Sequence, residues 1–229
     1  MALFNSKTKE FVIPEGFTVT AHSGAFGTPD NSLEFIRKAV AENCAVLETD
    51  VTFRPDGRAV MIHSGSPSQN EGVPLEEAFE IIAGHPSIRL NLDLKSTVNL
   101  PAVDALLKEY GLFDRAFFTG VGEDWAPVVK ANSGLPYYIN VDTSLRERRD
   151  PQLAKKVAHS IASAGGIGIN SHYNDVSSVI ANAVRERGLK VSVWTANDVR
   201  AMKICLALGA DNITTRHPDV LKKLIESVQ

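Results

Sequence analysis

Cysteine is scarce. The 229 residues hold two, Cys44 and Cys205, which excludes a disulfide scaffold. Neither sign of charge dominates: 27 acidic residues face 24 basic ones, a formal net charge of −3, which is a poor basis for non-specific nucleic-acid binding. No run of 18 apolar residues occurs, so no transmembrane segment is expected. The opening Met1–Lys7 lacks the apolar core of a signal peptide, and the expectation is a cytoplasmic protein. Low-complexity stretches and linkers are missing. So are a phosphate-binding Gly-x-x-x-x-Gly-Lys-Ser/Thr loop and a His-Glu-x-x-His zinc helix. Ser64-Gly65-Ser66 falls short of a nucleophile elbow. Gly165-Gly166-Ile167-Gly168 lacks the full dinucleotide pattern and reads as a helix-to-strand turn.

What is present is a globular balance, 44% hydrophobic and 22% charged, enough for one large core spanning 1–229 as a single domain. Short β-branched runs alternate with amphipathic stretches. Strands are predicted at Thr18–His22, Ala45–Val51, Ile88–Leu94, Ala116–Val121, Tyr137–Val141, Ile167–Asn170, Lys190–Trp194 and Asn212–Thr214. Helices follow each of them, beginning with one capped at Asn31-Ser32 and running to about Asn43. Eight strand-then-helix units match a (β/α)8 TIM barrel; an open doubly wound sheet is the alternative. Arg58–His63 also reads as a strand, too close to its predecessor for a parallel crossover. Asp56-Gly57 is a hairpin turn signal, so 45–63 reads as a β-hairpin excursion after the second strand, within a short segment at about 52–74. With Asp56 and Gly57 as the two turn residues, Pro55 faces Arg58 and Asp50 faces His63.

In a barrel, function gathers at the C-terminal strand ends. Here those ends carry His22-Ser23, Glu48-Thr49-Asp50, Asp93-Leu94-Lys95, Asn170-Ser171-His172 and Trp194-Thr195-Ala196-Asn197, above apolar strand bodies such as Ala45-Val46-Leu47. Glu48, Asp50 and Asp93 are three carboxylates on neighbouring strands. Either they are solvated singly, or a cation sits between them, and oxygen-only ligands suit Mg²⁺, Ca²⁺ or Mn²⁺. His22 and His63 at the mouth suit general acid–base work near neutral pH. Lys95 could hold an anionic substrate or pair with Asp93 or Glu48. Trp194 could stack on a ligand or cap the core. Arg146-Glu147-Arg148-Arg149 reads as a solvated helix approach.

These residues resemble the glycerophosphodiester phosphodiesterase family, within the phospholipase C-like phosphodiesterase barrels. The likeness runs through Ala21-His22-Ser23-Gly24, Pro29-Asp30-Asn31-Ser32, Glu48-Thr49-Asp50 (followed by Asp56-Gly57 and then by His63), Leu92-Asp93-Leu94-Lys95, Val193–Asn197 and Gly209–Thr215, six motifs in family order. The resemblance implies one divalent cation, Mg²⁺ or Ca²⁺ with Mn²⁺ as a third option, held by Glu48, Asp50 and Asp93. It implies His22 and His63 as acid–base catalysts, and Lys95, Ser23, Trp194 and Asn197 on the substrate side. A substrate hydroxyl would attack phosphorus to give a cyclic phosphate that water then opens, leaving an alcohol and glycerol 3-phosphate.

Departures accompany the likeness. Ser23 stands where the family has a phosphate-gripping Arg, Ser64 where an Asp commonly follows the second His, and Asp93 where Glu is usual. Only 29 residues separate His63 from Asp93, fewer than is typical, so a more open site is expected. The expected function is a metal-dependent phosphodiesterase acting on small glycerophosphodiester-like substrates. The alternatives are a non-catalytic phosphate-ester-binding barrel, or a lyase that stops at the cyclic phosphate. Arg54 and His172 are the candidates to replace the missing Arg.

Overall fold

The computed structural model describes residue 11 and residues 13–227; the Met1–Lys7 stretch read for a leader lies outside the described residues. Eight parallel strands close into a barrel: β1 (Thr18–Ala21), β2 (Val46–Phe53), then, after a two-strand excursion of β3 (Ala59–Met61) and β4 (Val73–Pro74), β5 (Arg89–Leu94), β6 (Ala116–Val121), β7 (Tyr137–Asn140), β8 (Gly168–His172), β9 (Lys190–Trp194) and β10 (Asn212–Thr215). Closure comes from β1, which pairs with β10 on one side and β2 on the other. The outer ring is α1 (Leu33–Ala41), α2 (Leu75–Ala83), α3 (Leu100–Glu109), α4 (Ala126–Asn132), α5 (Pro151–Ser163), α6 (Ser178–Arg185), α7 (Val199–Leu208) and α8 (Pro218–Glu226). This is the predicted TIM barrel, and the open-sheet alternative is excluded. No helix among the described residues is long and apolar enough to cross a membrane.

Helix ends follow local chemistry. Ser32 caps α1 by accepting from Phe35 N, Ser177 caps α6 through Ile180 N, and Asp198 caps α7 through Ala201 N. Each cap satisfies an amide that the helix itself leaves unpaired. Gly209, at φ 67°, closes α7 in the left-handed conformation that glycine adopts without a Cβ clash.

Side chains alternate across each strand. Along β5, Leu90, Leu92 and Leu94 turn outward into the buried layer beneath the helices, while Asn91 and Asp93 line the cavity inside. The barrel floor is a small apolar plug of Val46, Phe117 and Tyr138 backed by Ile167, with the two aromatic rings edge to face at 5.6 Å. A polar layer separates that plug from the mouth. Thr20 donates to Asn212 Oδ1, Asn212 donates to Ser192, Ser192 to Asn170 and Asn170 to Asn140, at 2.7–3.0 Å. Buried polar groups in a low-dielectric interior must be satisfied, and here they satisfy one another.

The hairpin is present but its register is shifted by one from the predicted pairing. Val51 pairs with Met61, Thr52 with Val60 and Phe53 with Ala59. Arg54 N donates to Arg58 O and Gly57 N to Arg54 O, so the turn holds three residues, Pro55, Asp56 and Gly57. A two-residue type I′ turn needs positive φ at both central residues. Only Gly57, at φ 83°, provides it. The excursion also gains the strand β4, which pairs antiparallel with β3 and was not predicted. Arg54 fastens this excursion by donating to Glu71 O and Gly72 O.

Candidate active site

A cavity of about 550 Å³ opens at the C-terminal ends of the barrel strands, where function was expected to gather. Its wall includes His22, Glu48, Asp50, His63, Asp93 and Lys95. Six residues scattered over 74 positions meet here: β1, β2 and β5 are adjacent and their inward columns end at one height, and His63 joins them from beyond β3. Asp50 lies in register with Asp93 across the β2–β5 ladder.

Oxygens of Glu48, Asp50 and Asp93 lie within 4.8 Å of one another. Glu48 is 4% exposed and its Oε2 accepts from Ser23 N at 2.9 Å. Burial and the neighbouring charges of Asp50 and Asp93 push its pKa well above the ordinary carboxylate range. Asp50 is held differently. Burial works against its charge, but hydrogen bonds from Asn31 and the charge of Lys95 prevail, and its pKa is lowered. Lys95 Nζ reaches Asp50 Oδ1 at 3.0 Å and also bonds Asp93 Oδ2. Burial disfavours the ammonium, yet the charges of Asp93 and Asp50 outweigh it and raise the Lys95 pKa. Thr119 donates to Asp93 Oδ1 at 2.7 Å. One lysine cannot neutralise three carboxylates, and the donor set is all oxygen, so the cluster fits a hard divalent cation.

The two histidines differ. His22 Nδ1 donates to Ser23 O at 2.7 Å, which leaves its Nε2 with the lone pair. Burial holds this imidazole below its ordinary 6.5. His63 stands at the rim, its side chain 83% exposed, with Nδ1 3.3 Å from Asp50 Oδ2. It lies two residues past the end of β3, so it meets Asp50 even though the ladder register is not the one predicted.

The remaining expected residues sort by position. Ser23 is on the wall but 1% exposed, its hydroxyl accepting from Asn31 N. Trp194 lines the cavity, its ring edge-on to His172 at 5.7 Å, with its buried indole N–H lacking a partner among the described residues. Asn197 is exposed and outside the cavity wall; its Oδ1 accepts from Arg216 N at 2.9 Å. Arg54 is away from the cavity, in the excursion. Arg148, in the basic run, bonds Asp175 at 2.8 Å.

Two residues were given no part in the site by the sequence. Asn31, taken there as part of a helix cap and of the Pro29–Ser32 likeness, donates to Asp50 Oδ2 at 2.7 Å and accepts from Thr49 Oγ1 and Asp50 N. Arg216 lines the cavity at the end of β10. The signal for Arg216 was available: the alternation that turns Asn212 and Thr214 inward continues to it.

Comparisons with known proteins agree with this fold. The family model described as the glycerophosphoryl diester phosphodiesterase family matches residues 89–220. A curated glycerophosphodiester phosphodiesterase of Caldanaerobacter subterraneus subsp. tengcongensis is 22% identical over 251 residues, covering 90% of this chain and 97% of its own. Among solved structures, an Oleispira antarctica phosphodiesterase in complex with the product sn-glycerol-3-phosphate aligns with a TM-score of 0.74 at 20% identity, over 93% of this chain and 97% of that one. The glycerophosphodiester phosphodiesterase of Thermotoga maritima aligns with a TM-score of 0.68 at 18% identity, over 91% and 98%. With more than half of its residues matched by the family model, including the Asp93 strand and the Trp194 and Arg216 rims, the chain belongs to the glycerophosphoryl diester phosphodiesterase family.

Proposed function

We propose that the cavity hydrolyses small glycerophosphodiester-like substrates to an alcohol and glycerol 3-phosphate. The observation that carries this reading is the meeting of two histidines, three carboxylates and a lysine in one cavity at the barrel mouth. Glu48, Asp50 and Asp93 would hold one divalent cation, Mg²⁺ or Ca²⁺. When bound, such an ion neutralises charge on the phosphoryl oxygens.

The chain's own residues supply the proton transfers. His22 presents an Nε2 lone pair because its Nδ1–H is committed to Ser23 O, and burial favours its neutral form. It is therefore the base that takes a proton from the attacking hydroxyl. His63, oriented by Asp50 at the open rim, is the acid that protonates the departing alcohol. Attack by a neighbouring hydroxyl of the glycerol forms the new P–O bond as the P–O bond to the alcohol breaks. The cyclic phosphate then takes up water, with the two histidines exchanging roles. Lys95 places positive charge beside the reacting group.

Phosphorus NMR of glycerophosphocholine with the protein tests this, adding Mg²⁺, Ca²⁺ or Mn²⁺ in turn. Glycerol 3-phosphate is expected with the wild type and metal, and none with His22→Ala of unchanged circular dichroism. A persistent cyclic phosphate signal would replace hydrolysis by a lyase reaction. Binding without turnover under every metal would replace it by a phosphate-ester-binding role.

A further inference from the structure

We infer that Arg216 is the residue that grips the substrate phosphate, replacing from the last strand the guanidinium that Ser23 does not supply from the first. This rests on the phosphodiesterase reading of the same cavity.

The placement comes from barrel closure. Ala21 pairs in register with Thr215, and His22 N donates to Thr215 O at 2.9 Å. The next residue on each strand is His22 on one and Arg216 on the other, so the proposed base and the guanidinium are neighbours at the mouth. Both line the cavity.

The backbone of Arg216 is fixed from two sides. Its N–H donates to Asn197 Oδ1 at 2.9 Å and its carbonyl accepts from Phe26 N at 3.2 Å. Asn197 thereby acquires a part in the site without touching the cavity: it positions Arg216. The guanidinium is aimed by Asp30, whose Oδ2 accepts from Arg216 Nη2 at 2.9 Å. It passes over Gly24, where a side chain would run into Asp30 Oδ1 and come within 3.3 Å of Arg216 Nη1. Gly24 has φ 79°, a conformation suited to glycine, so the loop leaves this opening.

Charge decides that the site needs this group. Asp30, Glu48, Asp50 and Asp93 line the cavity against two permanent cations, Lys95 and Arg216. The ammonium of Lys95 is already bonded to two carboxylates. A guanidinium has five N–H donors in a fixed fork, and among the described residues Arg216 has one side-chain partner, Asp30. Its remaining donors match the paired oxygens of a phosphodiester.

The test uses Arg216→Ala, Arg216→Lys and, as a control on the ion pair, Asp30→Asn. Two readouts are taken with Mg²⁺ present: KM and kcat for glycerophosphocholine, and the Kd of sn-glycerol 3-phosphate by calorimetry. Arg216→Ala should raise both KM and Kd about 10- to 100-fold, the loss expected for a charge-assisted hydrogen-bond pair, with kcat within a few-fold. Arg216→Lys, which keeps the charge and the Asp30 partner but not the fork, should fall between. Asp30→Asn, which takes the charge from the partner that aims the guanidinium, should weaken phosphate binding by less than Arg216→Ala does. Unchanged KM and Kd in both arginine variants, in an enzyme that turns over, overturns the assignment while leaving the phosphodiesterase reading intact. If the wild type binds sn-glycerol 3-phosphate without hydrolysing diesters and Arg216→Ala loses that binding, the grip stands and hydrolysis does not. No binding by the wild type overturns the grip.

Discussion

Asn31 shows how much of the acidic cluster depends on a residue that carries no charge. Its side-chain amide donates to Asp50, its carbonyl oxygen accepts from Thr49 and Asp50, and its own N–H donates to Ser23 Oγ. It does this at φ 51°, a left-handed conformation that Asn tolerates better than most residues. Asn31→Gly keeps that backbone and removes the hold on Asp50. Calorimetric titration with Mg²⁺ or Ca²⁺ should show affinity about 10- to 100-fold weaker, the usual cost of losing an outer-shell partner. Unchanged affinity would mean that Lys95 and His63 suffice to orient Asp50. The histidines, the three carboxylates and Lys95 were legible because strand ends carry function in a barrel. The hold of Asn31 on Asp50 was not, because Asn before a helix reads first as a cap, and Ser32 holds that role here. Arg216 was missed because it follows the predicted end of its strand by two residues, although alternation from Asn212 pointed to it.

Among the elements, β6 carries a tight constraint. Its pairing with β7 shifts register between Phe118 and Val121, and within that irregularity Gly120 adopts φ 74°. A Cβ there would lie 2.5 Å from Leu94 O and 2.8 Å from Leu94 N, backbone atoms of the neighbouring strand that cannot turn aside. Gly120 N also donates to Asn140 Oδ1, joining β6 to the polar layer. Gly120→Ala should therefore cost more than about 1 kcal/mol, combining positive φ with steric strain, and lower the Tm seen by thermal melting. A melting point equal to wild type would show that β6 can move away from β5. The strands and helices were readable to within a residue or two because Gly, Pro and capping residues punctuate them. The hairpin pairing was not, because Asp56-Gly57 fits both a two-residue turn and a three-residue turn begun by Pro55. The local sequence leaves that choice to the twist of the strands it joins. One residue of register separates the two outcomes, and His63 reaches Asp50 because it lies beyond the paired segment.

At the scale of the whole molecule, barrel closure decides what the solvent can reach. Eight strand–helix units implied a closed barrel because neither edge is then left unpaired, and the β1–β10 pairing is that closure. The polar layer inside was harder to read, since Asn and Thr within a strand carry no mark of facing one another across a barrel. Cys44, just before β2, and Cys205, in α7, sit in the buried layer between barrel and helices, 2% and 0% exposed. Burial pushes the Cys44 thiol up to about 11 and the Cys205 thiol up to about 12. The thiolate is the reactive form, so at pH 8 about one Cys44 in a thousand is ionised and about ten-fold fewer of Cys205. Both are also walled off. A disulfide-exchange thiol reagent at pH 8 should therefore find neither in the native protein and both in denaturant. Slow native-state labelling should run at one common rate, because the two layers open together only when the barrel does. A faster reaction at Cys205 alone would show instead that α7 lifts from a closed barrel, beside the Trp194 rim of the cavity.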